Sequence, residues 1–404
     1  MTTIEKENLF CAYNYHPLPV VLTKGEGVWL WDESGKKYLD MMSAYSAVSH
    51  GHSHPRMVKA LCDQAAKLAI TSRAYHTDKL APFLEKICRV SGMDMALPMN
   101  TGAEAVETAI KAARLWGYKS KGIAKDKAEI IVAEGNFHGR TTTVISFSSE
   151  EEYKANFGPL TPGFKIVDYG DVDAMRAAIT ENTCAILIEP IQGEAGIRIP
   201  PVGYLKALRK LCDENNVLLI LDEIQSGLGR TGKNFCFEHE GILPDGLTLG
   251  KALGGGMMPV SCFLAKREVM ELFRPGSHGS TFGGNPLAAA VATEALTVLE
   301  EDKLVENSQK LGAYMLHEIA QISTHLIREA RGLGLWIGVD FDPERVSARE
   351  VCERLMERGI LSKETHETVV RFAPPLIITR EEVDWALEQF REVVAEIEAR
   401  QNAA

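Results

Sequence analysis

The sequence predicts an α/β protein, its larger part a mostly parallel sheet covered by helices and its smaller part α+β. Three observations predict it. The runs 129–133, 184–188 and 217–221 are short, apolar and uninterrupted, as strands buried on both faces must be. A helical pattern over 201–215 separates the last two, a βαβ rhythm that makes neighbouring strands parallel. Beyond residue 300 the rhythm changes: helical patterns near 303–321, 347–358 and 380–400 flank strand patterns near 326–341 and 368–372. The implied division is an N-terminal segment, 1–50, belonging to the smaller part, a large domain, 51–290, and a C-terminal domain, 291–404. The helix beginning near Pro286 connects the last two.

The totals exclude several function classes. With 404 residues and 45% hydrophobic composition the chain can bury a large core. No run approaches the length of a membrane-spanning helix. A formal net charge of −11 argues against nucleic acid or an anionic membrane as partner, so a phosphate ligand would need a local site. Eight cysteines occur singly, with no C-x-x-C pair for zinc or a redox dithiol. They fit a reduced, cytoplasmic protein, and the N-terminal residues carry neither a signal core nor an Arg-rich presequence.

In chain order, alternating apolar residues about Asp32-Glu-Ser-Gly35 predict a hairpin. His50, His52 and His54 alternate, a spacing that either reaches for a metal or belongs to a polar turn before a helix at Pro55; no carboxylate or second cluster accompanies them, which favours the turn. Three helical patterns occupy 55–120, and the last opens on Asn100-Thr101-Gly102-Ala103-Glu104. Thr101 and Gly102 therefore lie at a helix N-terminus, either an anion site or a plain well-capped start. The strand 129–133 leads into a loop, 134–141, and a second strand up to 148. On that loop Phe137 offers a ring-stacking face beside Arg140, a carboxylate clamp. Glu189 and Glu194 follow the strand at 184–188 as solvated loop charge or as partners for a buried arginine. Arg371, on an apolar strand, is such an arginine and needs an anion. The loop 276–286, dense in Gly, Ser and Thr, suits a further phosphate contact. Residues 399–404 are expected to be fraying helix.

The stretch from Val217 to Gly256 carries the chemistry. Asp222 closes a buried strand, where open α/β sheets place their ligands. Lys251 ends a second apolar step and precedes Ala-Leu-Gly-Gly-Gly, bare backbone beside an amine able to bond covalently. An amine and an acid at two strand tips suit pyridoxal phosphate, which needs a Schiff-base lysine and a carboxylate for its ring nitrogen. Two other motifs overlap here. Gly227-Leu-Gly-Arg-Thr-Gly232 fits a dinucleotide fingerprint, but no helix of good formers follows it. A nucleotide-binding P-loop fails at Asn234, where a hydroxyl should ligate magnesium. The spacing instead means a Gly-rich surface turn.

Together these residues resemble the class III, fold-type I aminotransferases that use pyridoxal 5′-phosphate. The segments NTGAEAVE, NFHGRT, EPIQGEAG, DEIQSGLGRTG, LGKALGGG, GSTFGGNP and RFAPP carry the resemblance over nearly the whole chain. It implies a seven-stranded sheet in the large domain. Lys251 would be the Schiff-base lysine and proton shuttle, Asp222 the partner of the pyridine nitrogen. Phe137 would stack on the ring, and Gln225 would bond its phenolic oxygen. Thr101, Gly102 and Ala103 would hold the phosphate, with Thr281 reaching it from a neighbouring subunit, hence at least a homodimer. His138 and Ser226 depart from the Trp and Thr of some relatives and are given no part in the chemistry.

Within the family, NYHPLPV and SAYSAVSHGH are most similar to the branch that moves the side-chain amine of L-ornithine to 2-oxoglutarate. That similarity implies that Arg140 and Tyr15 hold the far α-carboxylate of the diamine and that Arg371 binds the keto acid. Glu194 would cover Arg371 in one half-reaction, and Tyr45 would shape the pocket. The rival reading is a sister enzyme acting on N-acetylornithine, 4-aminobutyrate or another ω-amine; Tyr15 and Tyr45 favour a free amino-acid end by about 1–3 kcal/mol of pocket contacts.

Overall fold

A computed structural model describes residues 1–402. Its centre is a seven-stranded sheet in the order Met95–Met99, Ser261–Ala265, Gly246–Leu249, Leu218–Asp222, Thr183–Ile188, Glu129–Ala133, Phe164–Val167. The last five run parallel, and Ser261–Ala265 is antiparallel to both its neighbours. Every residue of Thr183–Ile188 and Leu218–Asp222 is buried, so helices cover both faces, as the uninterrupted apolar runs require. Two smaller sheets complete the fold. Leu22–Glu26, Trp29–Asp32 and Lys37–Asp40 form a meander to which Ile360–Leu361 adds in parallel, so N-terminal and C-terminal segments share one sheet. Ile327–Gly332, Ile337–Phe341, Val369–Phe372 and Lys363–Thr365 form an antiparallel sheet.

Two expectations are corrected. Residues up to 148 do not continue as a strand but form a short helix, Thr142–Ile145. Its β-branched run has strand propensity, yet the Thr141 hydroxyl accepts the Val144 N–H at 3.2 Å and caps a turn that buries Val144 and Ile145. The Gly-rich turn at 227–232 is not on the surface but buried throughout. Arg230 lies at its centre, with both terminal nitrogens donating to buried oxygens. The three histidines diverge: His50 Nε2 meets Ala295 O at 2.9 Å, His52 Nε2 meets Asp40 Oδ2 at 2.7 Å, and His54 precedes the helix Pro55–Lys67. The C-terminal helix runs from Arg380 to Asn402; residues 403 and 404 of the expected fraying tail lie outside the described residues.

The helix Leu304–Ala320 is locked against the turn at Gly334. Ser308 Oγ donates to Arg230 O at 2.9 Å and accepts from Leu335 N at 3.0 Å. One helical turn on, a Cβ at Gly312 would stand 2.0 Å from the Gly334 carbonyl carbon and oxygen. Backbone is the obstacle there, and no side-chain rotation can relieve it. Gly312→Ala should therefore destabilise the chain by about 2–3 kcal/mol despite its better helix propensity. The check is a thermal melt, in which the variant melts several degrees below wild type; an unchanged or higher midpoint would contradict the tight contact.

Candidate active site

Parallel register sets the site. Asp222 pairs with Thr248 across the two adjacent central strands, so both side chains emerge at carboxyl ends, and Lys251 follows within one turn. Three donors converge on the Asp222 carboxylate. Oδ1 accepts from Thr248 Oγ1 at 2.9 Å and Ile224 N at 3.1 Å, and Oδ2 lies 2.7 Å from His138 Nδ1. Lys251 sits in left-handed backbone, φ 44°. Asp222 and Lys251 line one cavity of about 630 Å³ counting its mouth, together with Gly102, Ala103, Phe137, Glu189 and Gln225.

The floor of this cavity is the start of the helix Gly102–Trp116. Thr101 and Glu104 form a reciprocal capping box, which leaves the N–H groups of Gly102 and Ala103 without intrahelical acceptors. Gly102 is needed for the approach: a Cβ there would stand 2.9 Å from Ile224 Cδ1. Helix N–H groups beside bare backbone favour an anion. The arrangement can therefore hold a flat aromatic aldehyde by four features: an amine for its carbonyl, a carboxylate for a ring nitrogen, the Phe137 ring for its face, and the helix start for an anionic arm.

Burial dominates the electrostatics. It pushes the Lys251 amine below its usual range, against the pull of Glu194 and Asp222, so the neutral, nucleophilic form is easier to reach. Burial also raises Glu189 to about 8, with His138 opposing and Asp222 adding to the shift. The Glu189 Oε2 atom accepts the Phe137 N–H at 2.9 Å, fixing the loop that carries the aromatic ring. At His138 burial disfavours the imidazolium, but the hydrogen bond and charge of Asp222 outweigh it and the pKa rises. His138 was expected to take no part; it is corrected to a direct partner of Asp222. The two are 84 positions apart, and no local pattern connects them.

A second cluster of opposite charges adjoins the first. Arg371 is 5% exposed, and its Nη1 lies 2.8 Å from Glu194 Oε1. Burial alone would raise the Glu194 carboxyl, but Arg371 and Lys251 hold it below its usual range. The Arg371 guanidinium is 5.2 Å from the centre of the Tyr45 ring. Arg140 lies among three rings: Tyr15 at 5.9 Å, Phe137 at 5.6 Å and Tyr153 at 5.0 Å. Tyr153 and Thr248 were not anticipated; Thr248 could have been found from the parallel register alone. Thr281 is exposed and does not line the chain's own cavity, while the neighbouring Ser280 Oγ accepts from Asn100 Nδ2 at 2.7 Å.

The Aminotransferase class-III family profile matches residues 10–394. An ornithine aminotransferase of Geobacillus sp. (strain WCH70) is 59% identical over 384 residues, covering 95% of this chain and 96% of that protein. Among solved structures, the ornithine aminotransferase of Toxoplasma gondii ME49 superposes with a TM-score of 0.97 at 43% identity, over 98% of this chain and 95% of that one. The acetylornithine aminotransferase of Elizabethkingia anophelis superposes at 0.89 with 47% identity, over 97% and 98% of the two chains.

The Glu189 environment fixes a pH dependence. In the fold its carboxyl titrates near about 8, against an ordinary value of 4.5. Between those values the unfolded chain binds fewer protons than the folded one, so this group lowers stability as pH rises through the window. Glu189→Gln keeps an acceptor for Phe137 N–H but cannot ionise. In chemical denaturation of the cofactor-free protein, the variant should match wild type near pH 4.5 and become progressively more stable than it towards pH 8. Parallel stability profiles would show that Glu189 ionises freely in the fold.

Proposed function

Because the chain belongs to the class III aminotransferases, we propose that it moves the δ-amino group of L-ornithine to 2-oxoglutarate, giving L-glutamate 5-semialdehyde and L-glutamate. The observation that carries the reading is the Glu194–Arg371 pair, at 2.8 Å, beside the cavity that contains Lys251 and Asp222. An enzyme that accepts a diamine and a dicarboxylate in alternation needs an arginine it can both hide and expose.

Pyridoxal 5′-phosphate, bound through Lys251, supplies the electron sink for the charge left when a proton leaves the amine-bearing carbon. The chain's residues do the rest. Asp222, oriented by His138 and Thr248, would hold the ring nitrogen and favour its protonated form. Phe137 would cover one ring face, and Gln225 would bond the phenolic oxygen. The N–H groups of Gly102 and Ala103, with Thr101 at the cap, would hold the phosphate. Lys251 Nζ, its basicity lowered by burial and freed once the substrate amine takes its place, would take the proton from the δ-carbon and deliver it to the cofactor's carbonyl-derived carbon.

Arg140 and Tyr15 bind the α-carboxylate of ornithine, which presents the δ-amine to the reacting end. Glu194 meanwhile neutralises Arg371, so an α-carboxylate gains nothing by binding there. The 2-oxoglutarate carboxylate then displaces Glu194 and pairs with Arg371. Tyr45, against the Arg371 guanidinium, forms the wall between the two modes. Thr281 would complete the phosphate site of a second copy in a homodimer or higher homo-oligomer, a reading supported by its exposure and by its lying outside its own chain's cavity. A cytoplasmic location is supported by eight cysteines that form no disulfide.

A second reading, transfer from N-acetylornithine, is supported by the 47% identity to an acetylornithine aminotransferase. Incubation with 2-oxoglutarate and either amine decides between them. Ornithine should give a trappable semialdehyde with at least about tenfold higher kcat/KM than the acetylated amine; the reverse order would transfer the assignment to the second reading.

Two variants test the assigned roles. Glu194→Ala should retain the yellow cofactor but lose its preference for the δ-amine over α-amines, by about one to two orders of magnitude in the kcat/KM ratio. Unchanged regioselectivity would reject the gate. Lys251→Ala should fold and bind cofactor yet give no borohydride-reducible adduct; a labelled lysine elsewhere would overturn the assignment.

A further inference from the structure

Tyr45 stands on unusual backbone. Ser43, Ala44, Tyr45 and Ser46 have φ of 46°, 48°, 59° and 71°, a left-handed turn built from four consecutive residues with side chains. Isolated L-residues resist this conformation, and glycine is the usual solution. Something outside the turn must hold it.

Arg230 holds the turn directly at its first residue and, through Ser49, whose Oγ donates to Ser46 O at 3.2 Å, at its last. Its Nη2 donates to Ser43 Oγ at 3.2 Å and to Ser49 Oγ at 3.1 Å. Its Nη1 donates to Pro374 O at 2.6 Å and Leu335 O at 2.8 Å. Pro374 lies three residues beyond Arg371 on the same run of chain. Ser43 Oγ donates in turn to Ala373 O at 2.7 Å, and Ala373 N donates to Met41 O at 2.7 Å. Arg230 is wholly buried, and the acceptors of these four bonds are neutral oxygens.

We propose that Arg230 is a positioning residue for substrate recognition, clamping the left-handed turn, directly at Ser43 and through Ser49 at Ser46, to the chain beside Arg371 and so fixing Tyr45 over that guanidinium. The inference rests on the reading of Arg371 and Tyr45 as substrate-binding residues. Arg230 reaches neither substrate nor cofactor. It sets the spacing of the two groups that do, and a planar fork spanning four fixed oxygens is a geometry that lysine cannot reproduce.

The test is steady-state kinetics of the holoenzyme. Arg230→Lys should raise KM for ornithine and for 2-oxoglutarate about tenfold, leave kcat within about threefold, and preserve the absorption of the bound cofactor. Ala44→Gly is the diagnostic partner, because Ala44 is exposed and glycine adopts the left-handed turn without strain. Alone it should behave as wild type; combined with Arg230→Lys it should return both KM values to within about threefold of wild type. A residue that merely stabilises the fold would lower the melting temperature without this KM effect, and Ala44→Gly would not rescue it. If Arg230→Lys does not fold, Ser49→Ala removes one acceptor and should raise both KM values about threefold, with the same rescue. Unchanged KM, a loss confined to kcat, or absence of rescue would overturn the clamp. Should wild type prefer another amine donor, the assigned reaction falls, while the 2-oxoglutarate KM measured with that donor still decides the role of Arg230.

Discussion

The parallel register that sets Asp222 beside Thr248 is the constraint on which the site depends. A one-residue slip would turn Asp222 to the other face of the sheet and remove it from Thr248 Oγ1 and His138 Nδ1 alike. The register is set by what the two strands bury: their side chains are enclosed on both faces, and Gly246 admits Phe263, whose ring atom would stand 3.0 Å from a Cβ there. Core packing thus determines the position of a carboxylate that contributes little to the core itself.

Holding an acid and an amine in one buried cavity is costly unless their charges are compensated. Around Asp222 the compensation is by hydrogen bonds from three donors. Around Lys251 it is weaker: burial outweighs the nearby carboxylates and depresses the amine. That inequality is chemically useful, because a lysine held as firmly as Asp222 would stay protonated and could not act as a nucleophile. Glu189 shows a third outcome. Its carboxyl is pushed up to about 8, so it can remain neutral and anchor the Phe137 loop without adding negative charge beside Asp222.

Much of this was legible in the sequence. Buried parallel strands show as unbroken apolar runs, and strand tips are where they end, so Asp222, Lys251 and the helix start at Gly102 could be located by pattern and turn chemistry. Arg371 was legible because a charge within an apolar strand demands a counter-ion. What escaped depends on long-range contact. His138, on a loop, meets Asp222 at a strand tip far along the chain, and Tyr153 meets Arg140 through a short helix that propensity does not announce. The strand expected before residue 148 failed because a single threonine cap outweighed β-branched propensity. The turn at 227–232 was expected outside because glycine spacing says nothing about what an intervening arginine will find to bond.

The two buried arginines show how one side chain serves opposite purposes. The two terminal nitrogens of Arg230 are held by neutral oxygens, two of them main-chain carbonyls, and a carbonyl cannot leave without moving backbone. Arg371 has a carboxylate on a rotatable side chain, Glu194, whose backbone is separately tethered: Thr365 Oγ1 donates to Glu194 O, and Arg331 Nη2 donates to Gly196 O at 2.7 Å. Exchanging Glu194 for a substrate carboxylate therefore needs a change of rotamer and no change of fold, and the charge beside Arg371 is the same before and after. A gate between two substrates requires that near balance, because a partner bound much more tightly than the incoming carboxylate would never open and a weaker one would never close. The neutral cage of Arg230 could not act in this way. A dicarboxylate entering it would have to displace buried carbonyls that have no alternative donor, so the same guanidinium is a fixture at one position and an exchangeable site at the other.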